Sequence, residues 1–117
     1  MSVFSFTKEE RIVKKEEFIS LKRDGRRYYT DNFVLIIHNN GRDITRLGTI
    51  VSKKVGNSIK RNRIKRLIRE YFRLNKKKIP KGHDIIIVAQ TKNNNLDFFK
   101  VQEELNNLLL KNNGPFF

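Results

Sequence analysis

The sequence predicts an α+β fold, an α/β sandwich built around one central and mostly antiparallel sheet. Three observations carry this. Apolar residues recur at helical spacing in three separated stretches. Between them lie β-branched and aromatic runs of strand length, around residues 32–38, 45–52 and 84–90. A chain of 117 residues makes one domain and buries about 60% of its unfolded surface, enough for a single core. The expected element order is α-β-β-β-α-β-α.

Taken in order, residues 1–14 read as an extended arm with Phe4 and Phe6 as aromatic anchors. Thr7 and Glu10 imitate a capping box, but Ile12-Val13 is too short a stripe to secure a helix. The first helix runs from about Lys15 to Asp24, with Glu16 and Glu17 at its positive end and Lys22 and Arg23 at its negative end. Gly25 reads as a left-handed stop. Phe18 and Leu21 should face inward, with Ile19 at the edge. Tyr28-Tyr29 suits a short edge strand. Asn32 to His38 is apolar on both alternating faces, as a strand covered on two sides must be. Asn39-Asn40-Gly41 signals a turn into a strand from Thr45 to Ser52, so the two are expected to form a hairpin.

A basic helix follows, capped by Asn57 or Ser58 after Gly56. Asn75 to Gly82, with Pro80, leads out of it. Asp84 to Gln90 reads as a buried strand, and Asn93-Asn94-Asn95 as a polar loop. Leu96 to Lys111 is amphipathic through Phe98, Val101, Leu105, Leu108 and Leu109. The single domain thus spans 1–117, with 112–117 expected to be a mobile tail. The strands on either side of the basic helix should lie parallel, and general handedness rules make such a crossover right-handed.

Charge is concentrated. Lys53 to Lys78 carries twelve Lys or Arg against one acid, Glu70, a net +11 in a chain of +14. With about 100° per residue, Ile64, Leu67, Ile68, Tyr71 and Phe72 share one face, and Asn62, Lys65, Arg66, Arg69 and Arg73 form a ridge opposite. A merely solvated helix face would interleave acids at i, i+4, and Glu70 alone does not supply them. A one-sided cationic ridge points to a polyanion.

Other chemistries are poorly supplied. There is no cysteine, which removes disulfides, thiolate metal sites and a Cys nucleophile. No apolar run approaches the roughly 18 residues of a membrane helix, and the N-terminus lacks secretory signal features, so a cytoplasmic protein is expected. No phosphate-cradling glycine motif appears. His38 and His83 are far apart in the chain and read as ordinary surface histidines rather than a nuclease pair. Glu9-Glu10, Glu16-Glu17 and Glu103-Glu104 read as solubilising pairs, not as a two-metal site. No catalytic residue, protein-bound metal, cofactor or small-molecule substrate is expected.

Binding chemistry is better represented. Arg61, Arg63, Arg66 and Arg69 offer planar forks for phosphate, and Lys53, Lys54, Lys60 and Lys65 act as point charges. Asn62 adds an amide. Phe18, Tyr28, Tyr29 and Phe33 could stack unpaired bases, with core packing the alternative for Phe18 and Phe33.

Ser52 to Phe72, SKKVGNSIKRNRIKRLIREYF, resembles the signature of the bacterial ribonuclease P protein family, its RNR motif standing as Arg61-Asn62-Arg63. The resemblance takes in Arg46-Leu47-Gly48 and Asp84-Ile85-Ile86-Ile87 and covers roughly residues 7–110. It implies a left-handed βαβ crossover, against the general rule. It also implies one subunit of a ribonucleoprotein endonuclease, whose RNA subunit with bound Mg²⁺ frees the mature 5′ end of tRNA. Lys54, Asn57, Lys60, Arg61, Asn62, Arg63, Lys65, Arg66 and Arg69 would contact the catalytic RNA. Phe18, Lys22, Ile36 and Lys53 would line a cleft for the single-stranded 5′ leader of precursor tRNA. The family often has aromatics where this chain has Lys22 and Ile36, so stacking in the cleft should be weaker and cationic contact should take more of the load. The alternatives are a structural, ribosomal-type RNA-binding protein without a leader cleft, a helix-turn-helix DNA binder, and a self-sufficient nuclease.

Overall fold

The computed structural model describes residues 7–90, 96–110 and 115–116. The expected order is present: α1 (Lys15–Asp24), β1 (Arg26–Tyr29), β2 (Phe33–Asn39), β3 (Arg46–Val51), α2 (Ser58–Asn75), β4 (His83–Ala89) and α3 (Phe98–Leu109). Short 3-10 turns occupy Lys8–Glu10 and Lys53–Val55. Phe4, Phe6, Asn93-Asn94-Asn95, residues 111–114 and Phe117 lie outside the described residues.

The sheet order is β1-β2-β4-β3. Two of its pairings, β1 with β2 and β2 with β4, are antiparallel, and β3 pairs parallel with β4 across the α2 crossover. The expected hairpin of β2 and β3 does not form, because β4 lies between them. Its run Ile85–Ala89 is wholly buried and takes a neighbour on each side, as a doubly covered central strand does. The Asn39–Gly41 turn serves this insertion. The Asn40 backbone N–H donates to Gly82 O, and its amide donates to Ile44 O and Asp84 Oδ1, so the connection arches over the entry of β4.

Strand alternation divides the core. Leu35, Leu47, Ile85 and Ile87 face α2 and α3, meeting Ile64, Ile68, Tyr71, Phe72, Leu105 and Leu108. Val34, Ile36, Ile86 and Val88 face the other way, beneath α1 and Ile12. Tyr71 OH donates to Asn106 Oδ1 at 2.8 Å, joining α2 to α3. Burial pushes its phenol pKa well up.

Several carboxylates expected on the surface are structural instead. Glu104 is 5% exposed and accepts from the Asn32 backbone N–H and amide, fastening α3 to the start of β2. Glu10 accepts from Thr7 N–H at 3.0 Å and pairs with Lys76 at 3.0 Å, pinning the arm to the end of α2. Phe116, placed by sequence in a mobile tail, packs edge-on to His83 with centroids 5.0 Å apart.

Gly25 follows α1 but is not left-handed: its φ is −77°. Glycine suits the position because a Cβ would lie 2.6 Å from Ile36 Cγ2 and 2.7 Å from Leu21 O. Close approach of α1 to β2 is the requirement, not a turn in the backbone.

Candidate nucleic-acid interface

Helix α2 begins where Asn57 Oδ1 accepts from Lys60 N at 3.0 Å, after Gly56 at φ +148°. Ile64, Ile68, Tyr71 and Phe72 are buried, as the apolar stripe requires, and Leu67 is half-buried. On the opposite face Asn62, Arg66 and Arg69 are exposed and Lys65 is half-exposed. Together with Ile59 they line an open depression of about 460 Å³.

Much of the ridge's charge is left unpaired by the described carboxylates. Among the described residues, Arg61, Lys65, Arg66 and Arg69 enter no ion pair, while Arg73 pairs with Glu70. Arg73 therefore leaves the expected ridge. Arg63 differs too: its Nη1 donates to Leu96 O at 2.6 Å, tying α2 to the entry of α3. Arg61 is half-buried, and its Nε is covered with no hydrogen-bond partner among the described residues. Lys54, Asn57 and Lys60 are exposed at the N-terminal end of the same helix.

A second surface lies on the opposite face of the sheet. Register aligns Arg27, Ile36, Ile86 and Gly48 in one row across the four strands, and Tyr29, Val34, Val88 and Ile50 in the next. Helix α1 covers the first row. A Cβ on Gly48 would lie 2.7 Å from Phe18 Cε1, so glycine makes the seat for that ring. The second row lies beside the helix, a strip we call the trough: Val34 and Val88 at its centre are buried, Ile50 is half-exposed, and Tyr29, at its end, is 68% exposed.

The two flanks of α1 differ in sign. With about 100° per residue, Lys15, Ile19 and Lys22 fall on one side of its buried edge, and Glu17, Ser20 and Asp24 on the other. The acidic flank closes a pocket of about 260 Å³ with Glu16, His38 and Asp84. His38 and Asp84 belong to a third row, on the side of α1 away from the trough. The trough itself ends near the exposed Lys53 and Lys54, just past β3.

The sequence model of the ribonuclease P family matches residues 6–113. The chain belongs to the ribonuclease P protein family. It is 41% identical over 111 residues to the ribonuclease P protein component of Syntrophus aciditrophicus, covering 95% of this chain and 93% of that one. The Thermotoga maritima ribonuclease P protein component is 39% identical over 114 residues, covering 94% and 97%. The solved structure of the Thermotoga maritima protein superposes with a TM-score of 0.79 at 38% identity, covering 86% of this chain and 94% of that one. The Staphylococcus aureus RNase P protein does so with a TM-score of 0.76 at 37% identity, covering 82% and 88%.

Within this ribonuclease P family member, the expected cleft residues differ in exposure: Lys22 and Lys53 are exposed, Phe18 is half-buried and Ile36 is buried. Ile36 is 0% exposed and packs under α1, in the row next to the trough. Register puts Val34, Val88 and Ile50 in the trough row, the two valines buried and Ile50 half-exposed. Of the aromatic candidates, Phe18 and Tyr29 face the trough side; Tyr28 and Phe33 face α2 and α3, and Phe33 is core.

His38 and His83 stand at neighbouring positions of β2 and β4, but alternation sends them to opposite faces. They cannot meet at one phosphate. Among the described residues no three His, Asp or Glu side chains converge as metal ligands. No described helix is long and apolar enough to cross a membrane.

Proposed function

We propose that this chain is the protein subunit of the ribonuclease P ribonucleoprotein, which removes the 5′ leader of precursor tRNA by endonucleolytic hydrolysis in the cytoplasm. In this reading the outer face of α2 docks on the catalytic RNA, and the trough beside α1 receives the single-stranded leader. Mg²⁺-dependent hydrolysis belongs to the RNA subunit. The observation that carries the reading is the ridge of Lys65, Arg66 and Arg69, which no carboxylate among the described residues neutralises. A helix that holds such charge unpaired gains only when a polyanion releases its counterions.

The sign of the charges flanking α1 supports the leader track. A polyanion laid beside α1 meets Lys15 and Lys22 on the trough side and carboxylates on the other, so electrostatics selects one path. Phe18 and Tyr29 border that path with faces on which bases can stack, and Lys53 and Lys54 close its end. The protein contributes affinity and orientation: it holds the leader extended and leaves the scissile bond to the RNA.

The experiment compares precursor tRNA with mature tRNA as ligands of the assembled particle and of the RNA subunit alone. Adding this protein should tighten binding of precursor much more than of mature tRNA. Equal gains for both would overturn the leader reading.

A further inference from the structure

Ile59 is 76% exposed in the first turn of α2, amid the cations. An isolated exposed aliphatic residue is ordinary, but this one forms a wall of the depression that Asn62, Lys65, Arg66 and Arg69 line. Asn62 is the second anomaly. It sits inside the helix, where asparagine propagates poorly, it caps nothing, and its amide has no hydrogen-bond partner among the described residues. Neither residue suits phosphate. Isoleucine has no donor, and an amide is a weak ligand beside three cations.

A nucleobase has what both require: an apolar face for Ile59 and an edge of donors and acceptors for the Asn62 amide, which offers both. Base edges are out of reach in the deep groove of paired RNA but open in loops and bulges. We infer that the Ile59–Asn62 depression seats one unstacked nucleotide of the RNA that α2 docks on, with Arg66, Arg69 and Lys65 holding its flanking phosphates. The inference rests on the RNA-docking reading above and sharpens it: α2 selects a break in RNA pairing, not merely negative charge.

The test titrates the full chain against two RNAs across a salt series: the ribonuclease P RNA of the same organism and a fully paired RNA duplex. Ile59→Ala should weaken binding to the ribonuclease P RNA about tenfold, the typical loss of one base contact. The salt slope and duplex affinity should stay unchanged. Chemical probing of the complex should show an unpaired base protected by the native chain and reactive again with Ile59→Ala or Asn62→Ala. Native-like binding and an unchanged footprint for Ile59→Ala overturn the inference. So does an Ile59→Lys chain that binds both RNAs more tightly, which would mean that the position simply faces phosphate. Arg66→Ala separates the two levels: if it loses neither affinity nor salt slope, RNA docking through α2 is itself wrong.

Discussion

Arg46 and Asp84 are direct register partners on the parallel strands β3 and β4, joined by two hydrogen bonds: Nε to Oδ1 at 2.9 Å and Nη2 to Oδ2 at 2.7 Å. The Arg46 side chain is only 9% exposed and also reaches Glu17 on α1 at 2.7 Å. One guanidinium thus joins both strands of the crossover to the helix that borders the trough. The fork adds a side-chain tie to the backbone pairing of β3 with β4 at their entry ends.

Its pH dependence follows from Asp84. Burial pushes that carboxyl up, but hydrogen bonds from Arg46 and Asn40, with the guanidinium charge, bring it below its ordinary value. A carboxyl with a lowered folded-state pKa stabilises fully above its unfolded value of about 3.9. It loses that contribution as pH falls through the folded value. Asp84→Asn should cost about 3 kcal/mol at neutral pH by leaving Arg46 with Glu17 alone. It should also flatten the loss of stability below about pH 4. Urea unfolding of both chains at a series of pH values measures this. Parallel acid limbs would show that the pair does not act.

Gly48→Ala tests the seat of Phe18. The new methyl would fall 2.7 Å and 2.8 Å from ring atoms Cε1 and Cζ, so the ring must leave the sheet. We expect a stability loss of about 1–3 kcal/mol from overpacking. Precursor tRNA should bind the assembled particle more weakly while mature tRNA and RNA docking hold. Loss of RNA docking in equal measure would place Phe18 on the wrong surface.

The helices and strands were legible because their periodicities are local: the stripe from Ile64 to Phe72 and the run Asp84–Gln90 mark a helix and a strand without any partner. Pairing is not local. Nothing in residues 32–52 shows that β4 will insert between β2 and β3, so a good turn signal suggested the wrong neighbour. The same lack of register keeps Ile50 and Val88 out of view, and Ile36, expected in the cleft by resemblance alone, is fully buried. The ridge of α2 was readable as charge on one face. What was not readable is which cations the fold uses itself, since Arg63 meets Leu96 and Arg73 meets Glu70 only through geometry. Glu17 and Glu104 read as surface acids for the same reason: a surface acid and a buried acid look alike in sequence when the partner lies 29 or 72 positions away.

Arg63 and Arg66 should therefore behave differently, though three residues apart. On the RNA-docking reading, Arg66→Ala removes a phosphate ligand and no ion pair or hydrogen bond among the described residues. It should weaken binding to the RNA subunit and shift the log–log salt slope by about 0.7–0.9, with thermal stability unchanged. Arg63→Ala also removes the bond to Leu96 O, so it should cost about 1 kcal/mol of folding stability besides affinity. Salt-dependent titrations and thermal melts of the two variants distinguish them, and identical melts would mean the Arg63 bond contributes nothing.

The polarity of α1 gives the last prediction. If the leader runs in the trough, position rather than net charge should govern its binding. Lys22→Glu and Glu16→Lys change the chain's charge in opposite directions, and a field acting over the whole protein would make them weaken and strengthen leader binding alike. A track confined to one flank does not. Lys22 borders the trough on the helix side shared with Lys15, while Glu16 lines the pocket with Asp24, His38 and Asp84, and counterions screen charges more than about 10 Å apart at 0.1 M salt. Reversing Lys22 should weaken precursor tRNA binding about tenfold, roughly a contact-distance Coulomb energy in water, and leave mature tRNA unaffected. Reversing Glu16 should leave both nearly unchanged. Both residues are exposed, so folding is not at stake and the comparison reads binding alone. A larger effect at Glu16 than at Lys22 would move the leader to the other side of α1.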